Sequence, residues 1–325
     1  MRKGGDRNRN SRWDDDPVLD ARGRPKVAAI TERDVERIFA PLARYRYLPA
    51  DYLHALTEGS LDALTNRLNL LSRRPNLYVV RPQQQRDSAA ANHRHLVYEL
   101  GEKGARVLQQ YGIDNQRTRT PASFAHELMV CQVMASFEIG ARETGVRALT
   151  WSDILASEKL PEATRRAPKP HNIPVSITID GQRISTHVAA DAEPFGFERP
   201  ISNRTFLCLG IEADCATEPV NASDFSRSSI YRKLALYLAI AADDIHTSHY
   251  GFPNFYLPFI TTNGSRLVSV MKVLERMTNG TGSRFLLFKT LPLFTSFEKP
   301  LAPSGHMLTE DWRRVGYPPF NFLKS

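Results

Sequence analysis

Cysteine is scarce: Cys131, Cys208 and Cys215 are the three among 325 residues. They form neither a CxxC pair nor an even framework, which excludes a disulfide-stapled scaffold and points to reduced thiols in the cytoplasm. No apolar run approaches the roughly 18–20 residues of a membrane span, so no membrane partner is expected. The opening stretch MRKGGDRNRNSRWDDDP lacks the apolar core of a secretory signal. No internal repeat is visible, which sets aside solenoids and propellers. An acidic excess is lacking too: 43 basic residues outnumber 35 acidic ones, for a net charge of +8. That balance permits a polyanionic partner without demanding one. A hydrophobic content of 42% and a charged content of 24% fit a soluble globular chain. The length allows two domains of about 100–200 residues each.

Residues 1–26 are polar, mixed in charge and rich in Arg, Asn, Asp and Gly, and read as a disordered basic arm. Residues 27–115 follow as a compact helical unit. In TERDVERIFAPLARY, Thr31 stands at an N-cap, and Val35, Ile38, Phe39 and Leu42 share a face. LPADYLHALTEG is a second short helix. Ser60 caps a third, SLDALTNRLNLLSRR, with Leu61, Leu64, Leu68 and Leu71 on one face and Asp62, Asn66, Asn69 and Arg73 opposite; Leu70 is the apolar exception. Two strand-like runs, LYVVRP and HLVYEL, are separated by the polar QQQRDSAAANHR, and the helix GEKGARVLQQYG ends the unit.

Three helices and then a two-stranded hairpin is the order of a winged helix-turn-helix, whose third helix lies in the DNA major groove. Asn bonds bidentately to adenine and Arg to guanine, so Asn66, Asn69 and Arg73 are the candidate base readers. Arg67, Arg74, Arg81, Arg86 and Arg94 suit phosphate, which sets affinity and register. The competing use of such a unit is protein contact or dimerisation, and Asp62 on the exposed face would repel phosphate.

Residues 121–294 change pattern. SFAHELMVCQVMASFEIGARETG is a long helix capped by Ser123. IPVSITI, an Asp180-Gly181 turn and QRISTHVAAD read as a β-hairpin. PFGFE and RTFLCLGIEAD are strands, SSIYRKLALYLAIAADD a helix, FPNFYLPFITT a strand, SRLVSVMKVLERM a helix and SRFLLFKTLPLF a strand. That order makes an α/β domain with a mixed sheet. Residues 295–325 are Pro-rich and read as an irregular tail whose aromatics, VGYPPFNF, dock onto the domain.

The chemistry concentrates in FLCLGIEADCATEP, where an apolar strand ends in two carboxylates. Residues i and i+2 of a strand point to one side, so Glu212 and Asp214 project together. They repel unless a cation or proton lies between them, and an oxygen-rich cluster suits Mg²⁺. Asp191 comes 21 residues before Glu212, within reach of an adjacent strand, and Lys233 follows Asp214 by 19. An Asp, a Glu-x-Asp and a Lys form the inventory of a metal-dependent phosphodiesterase: carboxylates for the metal, a lysine for the water or the transition state. Glu127, one turn into the long helix, could add an oxygen or a base. Carboxylates at this spacing are also common at solvated strand ends. His246 and His249 lack further ligands at useful spacing, and NGTGSR lacks the Lys-Ser/Thr of a phosphate loop and reads as a turn.

EADCATEP resembles the Glu-x-Asp-x-(small)-Thr-Glu signature of the replication-relaxation family of plasmid and mobile-element proteins. AADAEPFGF resembles that family's Pro-Asp-Ala-x-Phe element, AHEL its His-x-Leu helix and YRKLALY its Lys-Leu helix. The resemblance runs from about Thr31 to Phe294, and the family's C-terminal half is similar in element order to the PD-(D/E)xK nucleases. It implies Asp191 and Glu212 as metal ligands, with Asp214 standing where those nucleases carry lysine and Lys233 as a migrated replacement. Ala190 replaces the proline expected before Asp191. With an acid in the lysine position, the resemblance implies a nuclease-like fold more strongly than cleavage.

The expected fold is therefore α/β, with a helical winged-helix domain followed by a mixed-sheet PD-(D/E)xK-like domain. The expected function is DNA binding by the winged helix and Mg²⁺-dependent nicking or cutting by the second domain, with Asp191, Glu212 and Asp214 on the metal. The alternative is a catalytically inactive accessory of replication or mobilisation, or a transcriptional regulator; a third reading makes both halves protein-interaction modules. Double-stranded DNA, a second copy in a homodimer and proteins of a replication or mobilisation complex are the expected partners.

Overall fold

The computed structural model describes residues 16–57, 59–87, 96–113, 123–179, 182–199, 204–216, 218–220, 229–291 and 302–324. The chain divides between Ala135 and Ser136 into two compact units, and residues 304–324 rejoin the second.

In the first unit Thr31 and Asp34 form a reciprocal capping box that starts helix α1. This helix runs through Glu32–Asp34, widens into a π turn over Val35–Phe39 and continues as Ala40–Tyr45. The Ala40 N–H reaches back to the Val35 carbonyl immediately before Pro41. Proline has no N–H to give and its ring presses on the carbonyl four residues earlier, so a wider turn accommodates it inside the helix. Val35, Ile38, Phe39 and Leu42 are all buried, as their spacing predicts.

Strand β1 (Leu48–Pro49), α2 (Ala50–Ala55) and α3 (Leu61–Ser72) follow, the last with Ser60 accepting from the Ala63 N–H. Burial on α3 concentrates at its C-terminal end, in Leu68, Leu70, Leu71 and Ser72, while Leu61 is exposed. The expected stripe thus corrects to one that includes Leu70 and omits Leu61, because only the later turns are enclosed by α2 and β2 (Val79–Val80). Strand β3 (Val97–Leu100) lies between β1 and β2, antiparallel to both, in the order β1-β3-β2. Residues Gln83–Asp87, read from sequence as plain connector, form a short helix α4. Gln85 is fully buried there, and its carbonyl accepts from the Val97 N–H at 3.2 Å. Helix α5 (Glu102–Gln110) completes the unit. Of the expected disordered arm, residues 16–26 are structured: 19–25 close into a tight hairpin through a Leu19–Pro25 bridge, because Asp20 accepts from the N–H groups of Arg22 and Arg24. The rest of the arm lies outside the described residues.

Helix α6 (Phe124–Thr144) passes from the first unit into the second. The elements of the second unit are β4 (Arg147–Leu149), α7 (Trp151–Ala156), α8 (Glu162–Arg165), β5 (Ile173–Ile179), β6 (Gln182–Val188), β7 (Phe195–Arg199), β8 (Arg204–Cys208), β9 (Glu212–Asp214), α9 (Ile230–Ala242), α10 (Ile245–Tyr250), β10 (Phe255–Thr261), α11 (Gly264–Met277), β11 (Leu286–Thr290) and α12 (His306–Thr309). The sheet order is β11-β10-β8-β7-β4, with β9 also paired to β10. β8, β9 and β11 run parallel to β10, whereas β7 is antiparallel to β8 and β4, so the sheet is mixed. The β5–β6 hairpin forms in the expected register, from Ile173 opposite Val188 onwards, as a separate two-stranded sheet. The carboxyl-terminal segment belongs to the core rather than trailing from it: Trp312 is stacked on Phe137 at 5.9 Å between ring centres, and Phe322 contacts Phe137, Phe197 and Phe206.

Candidate active site and nucleic-acid face

The apolar run Phe206–Ile211 is one line of chain bent at Gly210 between β8 and β9. Gly210 has φ +132°, and a Cβ there would lie 2.4 Å from the Ala190 Cβ and 2.5 Å from the Ala192 carbonyl oxygen. Only glycine permits that crossing. It brings Asp191 onto the strand at both ends: its N–H donates to the Ile211 carbonyl at 2.8 Å, and its carboxylate accepts from the Ala213 N–H at 2.8 Å. Asp191 is thus seated on β9 by a bend after β6 rather than by an adjacent strand.

Glu212, 2% exposed, points toward α9. The Tyr237 hydroxyl donates to its Oε1 at 2.6 Å, and the Lys233 ammonium lies 2.9 Å from its Oε2. Lys233 also lies 3.4 Å from the Glu218 carboxylate. Burial pushes the Glu212 carboxyl up to about 7, and the nearby Asp191 charge acts the same way, against the pull of Lys233 and Tyr237. Burial alone would lower Lys233, but the Glu212 and Asp191 carboxylates override it and raise the ammonium above its ordinary value. Lys233 therefore stays cationic at neutral pH.

Asp214 turns to other partners. Arg266, near the start of α11, grips it with two nitrogens, Nε to Oδ2 and Nη2 to Oδ1, the latter at 2.9 Å. The Thr261 hydroxyl and the Ala216 N–H donate to it at 3.2 and 2.9 Å. The acid in the lysine position is thus neutralised by an arginine from the following helix. The set Asp191, Glu212, Asp214 and Lys233 accordingly splits: Asp191, Glu212 and Lys233 converge, while Asp214 is bound into a pair with Arg266. Glu127 is in the first unit, its carboxylate 2.9 Å from an Arg46 nitrogen. Cys215, beside the site, is held as a thiol, burial and the Asp214 and Asp191 charges pushing it up to about 11.

Spacing alone does not single out Arg266, Tyr237 or Glu218. The signal for Arg266 was an arginine in the first turn of a helix, where the macrodipole disfavours a cation unless a carboxylate compensates it. Among the described residues no group of three or more His, Cys, Asp or Glu side chains is arranged to hold a metal. Mg²⁺ needs only one or two carboxylates when it keeps several waters. Asp191 and Glu212 supply that hard-oxygen pair, so the donor chemistry fits with these two and without Asp214. His246 and His249 are structural: His246 sits against Phe255 and His249 bonds the Pro170 carbonyl at 3.0 Å.

In the first unit, α3 presents Asp62, Thr65 and Asn66 to solvent, with Asn69 and Arg73 half-exposed. Arg73 donates from Nε to the side-chain Oδ1 of Asn69 at 2.8 Å, which orients both on the same side. Arg74 is exposed and Arg81 half-buried. Arg67, expected on phosphate, is engaged internally: its guanidinium meets Asp34 at 2.7 and 2.6 Å and the Ala29 carbonyl at 2.6 Å. Asp34 is buried, and although that burial opposes its ionisation, Arg67 and the Thr31 cap hold its carboxyl below the usual range. A buried acid needs a permanent cation beside it, and Arg67 fills that need. Arg86 lies in α4, and Arg94 lies outside the described residues.

A family model described as replication-relaxation matches residues 39–254, which includes α3, Asp191, Glu212, Asp214 and Lys233. No curated protein and no solved structure is significantly similar to the chain. Among the described residues no helix is long and apolar enough to cross a membrane.

Proposed function

The chain belongs to the replication-relaxation family, and we propose that it is a DNA-binding protein of plasmid or mobile-element replication or relaxation that nicks its target. In this reading the first unit is a winged helix. Its α3 faces duplex DNA through Thr65, Asn66, Asn69 and Arg73, with Arg74 and Arg81 toward phosphate. The second unit is a PD-(D/E)xK-like domain whose centre is Asp191, Glu212 and Lys233. The observation that carries the reading is the seating of Asp191 on β9 beside the Glu212–Lys233 pair at 2.9 Å.

Asp191 and Glu212 would hold Mg²⁺, which supplies an activated water and charge stabilisation on the phosphate. Lys233 orients and neutralises: its ammonium already bridges Glu212 and Glu218, and it stays charged to meet a phosphate oxygen. Tyr237 holds the Glu212 carboxylate in place from the other oxygen.

One observation favours the second reading, an accessory that binds without cutting: Lys233 and Arg266 already pair with Glu212 and Asp214. The two separate in one assay series. With Mg²⁺ or Mn²⁺ the protein should convert supercoiled plasmid to the nicked form, and Asp191→Asn or Lys233→Met should abolish nicking while duplex binding persists. Binding without nicking across both metals gives the accessory reading; no duplex binding at all refutes both.

A further inference from the structure

The N-terminal hairpin, residues 18–26, and the chain flanking it are fastened to α3 and its surroundings at four points, Lys26 in the hairpin itself and Asp16, Ala28 and Ala29 on either side of it. The Arg73 guanidinium donates to the Asp16 carbonyl at 3.5 Å, and Arg67 to the Ala29 carbonyl at 2.6 Å. Between them Asn76, 2% exposed, donates to the Lys26 carbonyl at 3.0 Å and accepts from the Ala28 N–H at 2.9 Å. Asn76 also donates to the Leu70 carbonyl at 2.9 Å, so one buried amide ties the arm to the end of α3 itself. A buried amide with its donor and acceptor both used is a specific clamp, because leaving either unmade would carry a desolvation penalty.

The hairpin is rigid in its own right. Asp20 N–H donates to the Arg24 carbonyl at 2.8 Å, Lys26 N–H to the Val18 carbonyl at 2.7 Å, and Gly23 takes the φ of +72° that the tip requires. Its outward side chains are Arg22, Arg24 and Lys26, all exposed. The one acid, Asp20, spends its oxygens on the turn and on an exposed pair with Arg24 at 3.2 Å. Exposed pairs of this kind contribute little and exchange readily for another anion.

A rigid, cationic loop clamped to the helix that carries the candidate base readers has a function in such a position. We propose that the hairpin is a phosphate clamp: Arg22, Arg24 and Lys26 engage the DNA backbone beside the base pairs faced by α3. The inference rests on the duplex-binding reading and adds to it a second contact surface. Its clamping to Asn76 means that the loop arrives in place with α3, so the contacts form without the ordering cost that a disordered arm would carry.

The test is the salt dependence of binding to a fluorescent mixed-sequence duplex by the full chain. Each phosphate neutralised contributes about 0.9 to the slope of log affinity against log salt. The triple variant Arg22→Gln/Arg24→Gln/Lys26→Gln should lower that slope by about 2.7, so the affinity lost between about 50 and 200 mM salt shrinks roughly 40-fold. A control triple at exposed cations elsewhere, Arg106→Gln/Lys272→Gln/Arg313→Gln, should leave the slope within about 1 of the parent. A drop of less than about 1 in the hairpin variant, or an equal drop in the control, overturns the clamp while duplex binding by α3 stands. A parent that does not bind duplex overturns the function proposed above, and the clamp with it.

Discussion

Arg266→Ala tests whether the acid in the lysine position is a structural anchor. The Asp214 side chain is 6% exposed and that of Arg266 15%, so the pair is largely withdrawn from water. Replacing a whole buried pair is often neutral, but removing one partner strands a charge at a cost of about 3–5 kcal/mol. Thr261 and the Ala216 N–H would still donate to Asp214, which places the expected loss toward the lower end. A unit of this size loses about 2–4 °C of Tm per kcal/mol, so Arg266→Ala should lower the unfolding midpoint of the second unit by roughly 6–12 °C. The companion Asp214→Asn/Arg266→Gln removes both charges and keeps the neutral hydrogen bonds; it should recover at least half of that loss. Circular dichroism at neutral pH reads both. A shift below about 2 °C in the single variant, or a double variant no more stable than the single one, refutes the anchor.

Two further outcomes follow from the same site. Glu212 has a folded value of about 7, raised above its ordinary one, so its contribution to stability is full below the unfolded carboxylate range and is lost as pH rises through about 7. The Tm difference between Glu212→Gln and the parent should therefore move in favour of the variant from about pH 4 to about pH 8; a flat difference would mean that Glu212 is not perturbed by burial. Gly210→Ala forces a Cβ to within 2.4 Å of Ala190 at a positive φ, and should cost more than about 2 kcal/mol and free Asp191 from β9. Thermal unfolding together with loss of protection of the Ala213 amide in hydrogen exchange checks it; a protected Ala213 would show that the crossing does not depend on glycine.

Local pattern made several elements readable. The α1 face, the Ser60 cap, the β5–β6 hairpin and the strand leading to Glu212 each follow from periodicity or capping within a few residues. Both Glu212 and Asp214 are buried, against the ordinary solvated strand end. What stayed hidden depends on partners far along the chain. Arg67 reads as an exposed cation on a polar face, yet Asp34, 33 residues earlier, takes it up. Asp214 reads as a metal ligand beside Glu212 until Arg266, 52 residues later, occupies it. The C-terminal aromatics read as docking onto the domain, and Phe320 and Phe322 do so against Phe206 and Tyr256; what the sequence left unread is that Trp312, before that run, is fully buried and stacked on Phe137. Gly210 carried no signal in a single sequence, since its need arises from the crossing of residues 190–192.

Asp191, Glu212, Asp214 and Glu218 bring four carboxylates, and Lys233 and Arg266 bring two cations that pair with Glu212, Glu218 and Asp214. With every group ionised the cluster retains two negative charges, the complement of a single divalent cation. Arg266 is what makes the number two: without it Asp214 would add a third, and the excess would favour protonation of the most buried acid, Glu212. An arginine on α11 thus does for Asp214 what a lysine in its place would have done for the local charge. Its Nε and Nη2 are spent on Asp214 and the Glu218 carbonyl, which turns that edge of the guanidinium away from any phosphate. On the nicking reading proposed above that duty would fall to Lys233, whose ammonium is shared between the Glu212 and Glu218 carboxylates.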